Sequence, residues 1–337
     1  MALRVMQIFL PQNSDKNLDE LLEGRDILGR WRDADSEKVV LHLLVPAEET
    51  EPIMDRFEQR FSTVDGFHVV LFPVEAVLPR PKVEPEENEE ASDNKEAEAD
   101  SQKGRRISRE ELYTEVTEGL GISRVYVGLT ILSAIVAAVG LMRDDVAVII
   151  GAMVIAPLLG PNVALSLGTT LGDIALIRRA LMTNLVGIVT AFVFAVGVGL
   201  LFSVKADIPA IASRTQVNVG DILLALAAGA AGTLAFTRGL SGAVIGVMVA
   251  VALVPPLVVC GMLVAEGLFA PAFGAFVLTA ANVICINLSG VAIFLVQGVR
   301  PRSWWEAERA KAATIRATTI WSVLLALLAF ILWLTQW

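Results

Sequence analysis

Seven stretches of this chain contain no Asp, Glu, Lys or Arg: 125–142, 146–172, 180–204, 222–237, 239–265, 267–299 and 317–337. A helix that crosses a bilayer needs about 20 predominantly apolar residues, with about 17–25 usual. Six of the seven stretches meet that length, and 222–237, at sixteen residues, fits a short or tilted span. Composition agrees, with 55% hydrophobic and 19% charged residues against about 45–50% and about 25% in soluble domains. The expected fold is a polytopic all-α membrane domain of about seven transmembrane helices, over 124–337, behind a small soluble domain.

The charge is unevenly placed. Of a net −9, six excess negative charges fall between Pro81 and Gly104, which hold nine acids and three lysines. Such a segment cannot bury a core, so 81–106 reads as a disordered, self-repelling linker rather than a docking tail. Residues 1–10, MALRVMQIFL, lack a basic region, a long apolar stretch and a small-residue cleavage site, so the N-terminus is expected to stay in the cytoplasm. Cys260 and Cys285 lie in apolar stretches and read as buried hydrophobes rather than a disulfide or metal pair.

Residues 1–80 read as a small α+β domain. Strands are expected at Leu3–Leu10, Lys38–Val45 and Gly66–Leu78, and helices at Lys16–Trp31 and Glu48–Phe61, the second turning Ile53, Met54, Phe57 and Phe61 inward. That βαβαβ order predicts a ferredoxin-like or related sandwich, a common regulatory module. It has no glycine-rich phosphate loop, and no cofactor is expected. His42 and His68, each in a strand with no partner in view, read as structural. At 107–123, Ser108 and Glu111 form a capping box that opens a short interfacial helix, with Leu112, Val116 and Leu120 on one face.

Basic residues set the orientation. With the N-terminus inside, twelve (Arg105, Arg106, Arg109, Arg124, Arg178, Arg179, Arg238, Arg300, Arg302, Arg309, Lys311 and Arg316) face the cytoplasm, and three (Arg143, Lys205 and Arg214) face out. The asymmetry counts 222–237 as a span and places the C-terminus outside the cytoplasmic membrane. Trp304, Trp305 and Trp337 fit interfacial belts.

The membrane region also matches itself. RDDVAVIIGAMVIAPLLGP (143–161) lies over RGLSGAVIGVMVAVALVPP (238–256) at an offset of 95, with seven of nineteen positions identical. A slightly shifted match, between the segments TNLVGIV (183–189) and AANVICI (280–286), pairs Asn184 with Asn282. Repeat 1 then covers about 125–204, repeat 2 about 221–299, and 317–337 is a final helix. Three spans per copy is odd, so the copies are expected to be inverted, as in secondary transporters.

Proline removes a backbone donor and clashes with the preceding turn. Carbonyls freed in hydrocarbon must face protein or a wet cavity. Matching breaks at Pro157/Gly160/Pro161 and at Pro255/Pro256 therefore point to a polar cavity, although packing kinks explain the prolines too. The candidate solute-binding residues are Gly160, Pro161, Asn162, Asp173, Asn184, Pro255, Pro256, Asn282 and Asn287, with Ser166, Thr169, Thr170, Thr190 and Ser289 nearby in sequence. The two broken segments are expected to cross at mid-membrane, bringing Asn162 and Gly160–Pro161 to Pro255–Pro256, flanked by Asn184 and Asn282. No acid or base falls in that layer, which suits a neutral solute, or an ion held by carbonyls and helix ends. Asp173 is either ion-paired with Arg178, five residues on, or engaged with protons or cations.

The run VIIGAMVIAPLLGPNVALSLGTTLGD (148–173) resembles the hallmark of the hydrophobic membrane proteins grouped as domain of unknown function 389. VVLFPVEAVLPRP (69–81), ahead of an acidic linker, resembles the soluble portion of one branch. The resemblance implies a prokaryotic multi-span protein with a cytosolic domain; it implies no activity and transfers no catalytic residue. The residues favour a channel or secondary transporter for a small solute or ion. The alternative is a non-transporting sensor or scaffold whose soluble domain binds a ligand or partner. An enzyme is not expected, because no H-E-x-x-H, His or Cys pair, or Ser/Lys dyad lies in the spans. Expected partners are the bilayer, the solute and further copies in a homo-oligomer, and nucleic acid is not expected. The GxxxG pairs Gly168/Gly172 and Gly242/Gly246 suit packing within one subunit.

Overall fold

Alternation along Leu3–Pro11 (β1) sends Met6, Ile8 and Leu10 to one face of a sheet, where they are fully buried. A computed structural model describes this and the rest of residues 3–11, 18–35, 38–74, 77, 108–118, 120–238 and 253–299, with 315, 319, 322, 323 and 326 near the end. The chain divides into two compact units, Met1–Glu111 and Leu112–Trp337.

In the first unit β1 is followed by Leu18–Leu22 (α1), Gly29–Asp35 (β2), Lys38–Pro46 (β3), Ala47–Phe61 (α2) and His68–Val74 (β4). The sheet order is β2-β3-β1-β4 with every neighbour antiparallel. Helix α2 presents Ile53, Met54, Phe57 and Phe61 to Met6, Ile8, Leu41 and Leu43, as its spacing predicts. The long first helix expected over Lys16–Trp31 is corrected. Helix α1 stops at Leu22, Gly24 takes a left-handed φ of 74° that ends it, and Trp31 sits on the extra strand β2. The order is thus βαββαβ. His42 has a partner after all: Nε2 lies 3.2 Å from Asp33 Oδ2, and its ring stacks on Trp31 at 5.3 Å.

The capping box at Ser108 is present. Glu111 N donates to Ser108 Oγ, and Ser108 N donates to the Glu111 carboxylate, at the start of Arg109–Glu118 (α3). Its first turn is bound into the first unit: Arg4 Nε meets Glu111 at 2.8 Å, and the buried Arg109 bridges Glu110 and Asp55.

The second unit is helical: Arg124–Met142 (α4), Val146–Ile155 (α5), Leu159–Leu171 (α6), Ile174–Leu201 (α7), Pro209–Ala212 (α8), Val219–Thr237 (α9), Val254–Ala265 (α10) and Phe269–Val296 (α11). Four of these, α4, α7, α9 and α11, are long and apolar enough to cross a membrane; α5 with α6 makes a fifth if the bent pair is one span. The protein is a multi-pass membrane protein. The short stretch at 222–237 gains length because Asn218 and Asp221 form a capping box that starts α9 at Val219. Ser123, Asp145 and Asp173 cap α4, α5 and α7 by accepting from first-turn N–H groups, placing polar side chains at helix ends. The N-terminal part of the second broken segment, 239–252 with Gly242 and Gly246, lies outside the described residues, as do the linker, the basic 300–314 loop and most of the final helix.

The break between α5 and α6 bends their axes by 54°. Pro157 has no N–H to give Met153, and it forces Ala156 out of the helical region to ψ 122°. The other prolines do something different. Pro161 is the third residue of α6, and Pro255 and Pro256 are the second and third of α10. There a missing N–H costs nothing, because the first turn has no intrahelical acceptor for it.

Spacing and packing follow one rhythm. Helices α4 and α9 have 19 residues each and begin 95 apart; α7 and α11 have 28 each and begin 95 apart. The shorter helices α6 and α10 also begin 95 apart, at Leu159 and Val254. Each lies against both α7 and α11, while α4 packs on α7 and α9 on α11. The close approaches use small residues. A Cβ on Gly290 of α11 would come within 2.6 Å of Ser166 Oγ, and a Cβ on Gly261 of α10 within 2.6 Å of Ala195 Cβ.

Candidate functional site

Buried polar side chains in the second unit are amides and hydroxyls; none of those described is charged. Three amides meet where α6 leaves the break. Asn162, in the first turn of α6, donates from Nδ2 to Leu158 O at 2.8 Å and to Asn184 Oδ1 on α7 at 3.0 Å. Its Oδ1 accepts from Asn287 Nδ2 on α11 at 2.9 Å, and Asn287 Nδ2 also donates to Val283 O at 2.8 Å. Ser166, one turn beyond Asn162, aims its hydroxyl at Asn287 O and Oδ1 and at its own helix's Asn162 O.

The direction of this chain is fixed by its ends. Leu158 O and Val283 O only accept, so the atoms facing them are the NH2 groups of Asn162 and Asn287. Both hydrogens of each NH2 are then committed. Asn184 must offer Oδ1 to Asn162, and its Nδ2, in a side chain only 7% exposed, is left with no partner. Side chains also reach carbonyls beside the break: Asn162 serves Leu158 O, and Ser133 Oγ donates at 2.7 Å to Ala152 O, which also accepts from Ala156 N. That is how a broken helix survives in hydrocarbon.

The fold thus brings together Asn162, Asn184 and Asn287 from the candidate set, with Gly160 and Pro161 in the same turn of α6. It places others elsewhere. Asn282 is buried on α11 five residues from Asn287, about 140° around the helix. Pro255 and Pro256 open α10, and among the described residues α6 and α10 pack on α7 and α11 rather than along each other. Asp173 lies eleven residues beyond Asn162, about 16 Å along a helix. It caps α7 by accepting from Leu176 N at 3.0 Å, and it accepts from Tyr113 OH at 2.9 Å. Burial and that bond to Asp173 push the Tyr113 hydroxyl's pKa up. Tyr126, which the sequence does not single out, donates to Thr183 O at 2.9 Å and presses on Gly187, one turn from Asn184.

The family model described as "Domain of unknown function (DUF389)" matches residues 153–288, a span holding Asn162, Asn184, Asn282 and Asn287. The chain is 33% identical over 326 residues to Uncharacterized protein MJ0678 of Methanocaldococcus jannaschii, across 96% of this chain and 97% of that one. No solved structure matches. With a full-length relative and a membrane unit centred on the matched segment, the chain belongs to the DUF389 family of multi-pass membrane proteins.

Proposed function

We propose that this protein is a channel or secondary transporter for a small solute or ion, with a cytosolic regulatory domain. The carrying observation is the buried amide cluster beside a proline-broken helix, between two long helices of opposite halves of the chain. Polar groups are costly in lipid and concentrate where a pathway runs. The 95-residue spacing of three helix pairs supports a 3+3 inverted repeat, repeat 1 over about 125–204 and repeat 2 over about 221–299. A bend of 54° leaves α6 advancing in the sense of α5, which favours a broken span over a re-entrant loop. With 239–265 as its counterpart and 317–337 as a final helix, the count is seven spans. The N-terminus is then cytoplasmic and the C-terminus outside the cytoplasmic membrane, and copies associate as a homo-oligomer. The βαββαβ order with strands β2-β3-β1-β4 supports a ferredoxin-like regulatory domain.

Flux into proteoliposomes tests the transport reading, with Asn162→Leu as the inactive control. Flux no faster than in empty vesicles, for uncharged solutes, K⁺ and Cl⁻ alike, defeats it. Cysteine-accessibility labelling at the two termini tests the topology; both termini on one side would remove the seven-span count. A second reading, a sensor or scaffold, draws on the exposed Trp31, Val70 and Phe72, which share the sheet face of β2 and β4 away from the helices.

A further inference from the structure

The cluster ends on a donor, not an acceptor, and this restricts what can bind. Every N–H of Asn162 and Asn287 is used internally, while Asn184 Nδ2 is buried and unpaired. An amide N–H left unpaired in an apolar interior costs about 1–3 kcal/mol, so the position calls for an occupant that accepts a hydrogen bond. Resting on the transport reading above, we propose that Asn184 Nδ2 is the recognition donor of the pathway, and that the solute presents it with an uncharged oxygen, a carbonyl or a hydroxyl.

Charge decides against the other classes. A cation needs oxygens facing it, and the Oδ1 atoms of Asn162, Asn184 and Asn287 all accept from within the cluster. An anion could use the donor, but no buried cation among the described residues of this unit offsets its desolvation, which costs several kcal/mol even after relaxation. An uncharged oxygen gives up far less than an ion on leaving water and regains a bond from the donor the site offers. Pro157 keeps the neighbouring backbone irregular, so the donor lies where the helix is already open. A buried water could fill the same place, and the experiment separates the two.

The test uses the full chain in proteoliposomes, with urea and glycerol as uncharged probes and K⁺ and Cl⁻ as ions, from about pH 5 to about pH 9. Wild-type protein should speed entry of at least one uncharged probe, with no pH dependence. Asn184→Leu should lower that flux at least tenfold at every pH, with the variant still monodisperse. Asn184→Thr, which keeps a neutral donor, should retain part of it. In Asn184→Asp the carboxyl O–H takes the place of the amide donor only while protonated, so flux should fall as pH rises. Flat flux at the wild-type level also supports the proposal, since burial raises a carboxyl pKa and keeps it donating. Flat flux at the Leu level, or flux that grows with pH, overturns it. So does wild-type flux in Asn184→Leu, which is the water-only outcome. Conduction of K⁺ or Cl⁻ without the uncharged probes refutes this inference while leaving the transport reading intact. Absence of all four fluxes removes both.

Discussion

Helices α6 and α10 pack on the same two long helices and carry opposite chemistry. Both begin with a leucine cap followed by prolines, and both lie between α7 and α11. At the positions where α6 bears Asn162 and Ser166, α10 bears Leu257 and Gly261, each 95 residues on. On the long helices, Asn287 faces α6, while its counterpart 95 residues earlier is Phe192, whose carbonyl lies 2.9 Å from a Cβ on Gly261. Packing on the same two long helices therefore holds a polar niche at α6 and a close-packed apolar contact at α10. The lesson is that equal helix lengths and spacings supply the frame, and two residues on each short helix, Asn162 and Ser166 against Leu257 and Gly261, decide which contact is polar.

The largest effect that sharpens the contrast is on stability. Asn162→Leu puts into α6 the residue that α10 carries at Leu257. It strips Leu158 O, Asn184 Oδ1 and Asn287 Nδ2 of a partner at once. Membrane hydrogen bonds average about 0.6 kcal/mol and reach about 1.7, so losing three costs about 2–4 kcal/mol in a detergent unfolding titration. Leu257→Asn should also destabilise, because no amide waits for it there. If either variant matched wild-type stability, the two niches would not differ as described.

Next in size is the glycine pair. Gly261→Ala drives a methyl against Ala195 Cβ, Phe192 O and Val196 N, two of which are backbone and cannot yield. Gly290→Ala meets Ser166 Oγ and Thr233 Oγ1, hydroxyls that can turn aside, and Ser166 Cβ at 2.9 Å, with no backbone atom among the three nearest. Overpacking costs about 1–3 kcal/mol, and Gly261→Ala should fall at the upper end with Gly290→Ala at the lower. The reverse order, read from the same titration, would mean that α10 is the looser contact.

Much of the frame is legible in the sequence. The offset of 95 marks the start of α6 and α10 through Leu158/Leu253 and Pro161/Pro256, and the starts of the other two helix pairs fall at the same spacing. Pro157 announces the break and Ser108 a helix start, whereas the capping roles of Asp145 and Asp173 emerge only with the fold. The pairing of amides is less legible. A local match at offset 98 aligns Asn184 with Asn282, whereas the helices correspond at 95, which sets Thr279 opposite Asn184 and Gly187 opposite Asn282. Three residues turn a helix by about 300°, nearly back to the same face, so apolar pattern alone could not separate the two registers. Choosing Asn287 over Asn282 requires the rotation of α11, which its contacts with α6 and α10 fix. Strand β2 was hidden for another reason: GRWRDAD shows no apolar alternation, as an edge strand pairing only with β3 can afford.

The smallest effect separates a residue that holds the niche from one that uses it. Asn184 accepts one bond, from Asn162, and keeps one buried donor unpaired. Asn184→Leu loses the first, worth about 0.6 kcal/mol in a membrane. It also removes the unpaired donor, whose burial costs about 1–3 kcal/mol. The two oppose, so stability should hold or rise by up to about 2 kcal/mol, while Asn162→Leu falls well below wild type. The comparison needs only unfolding curves of the two variants side by side. A loss in Asn184→Leu as large as in Asn162→Leu would show that Asn184 Nδ2 is satisfied inside the fold. The polar niche would then be a structural plug, as closed as its apolar counterpart around Gly261.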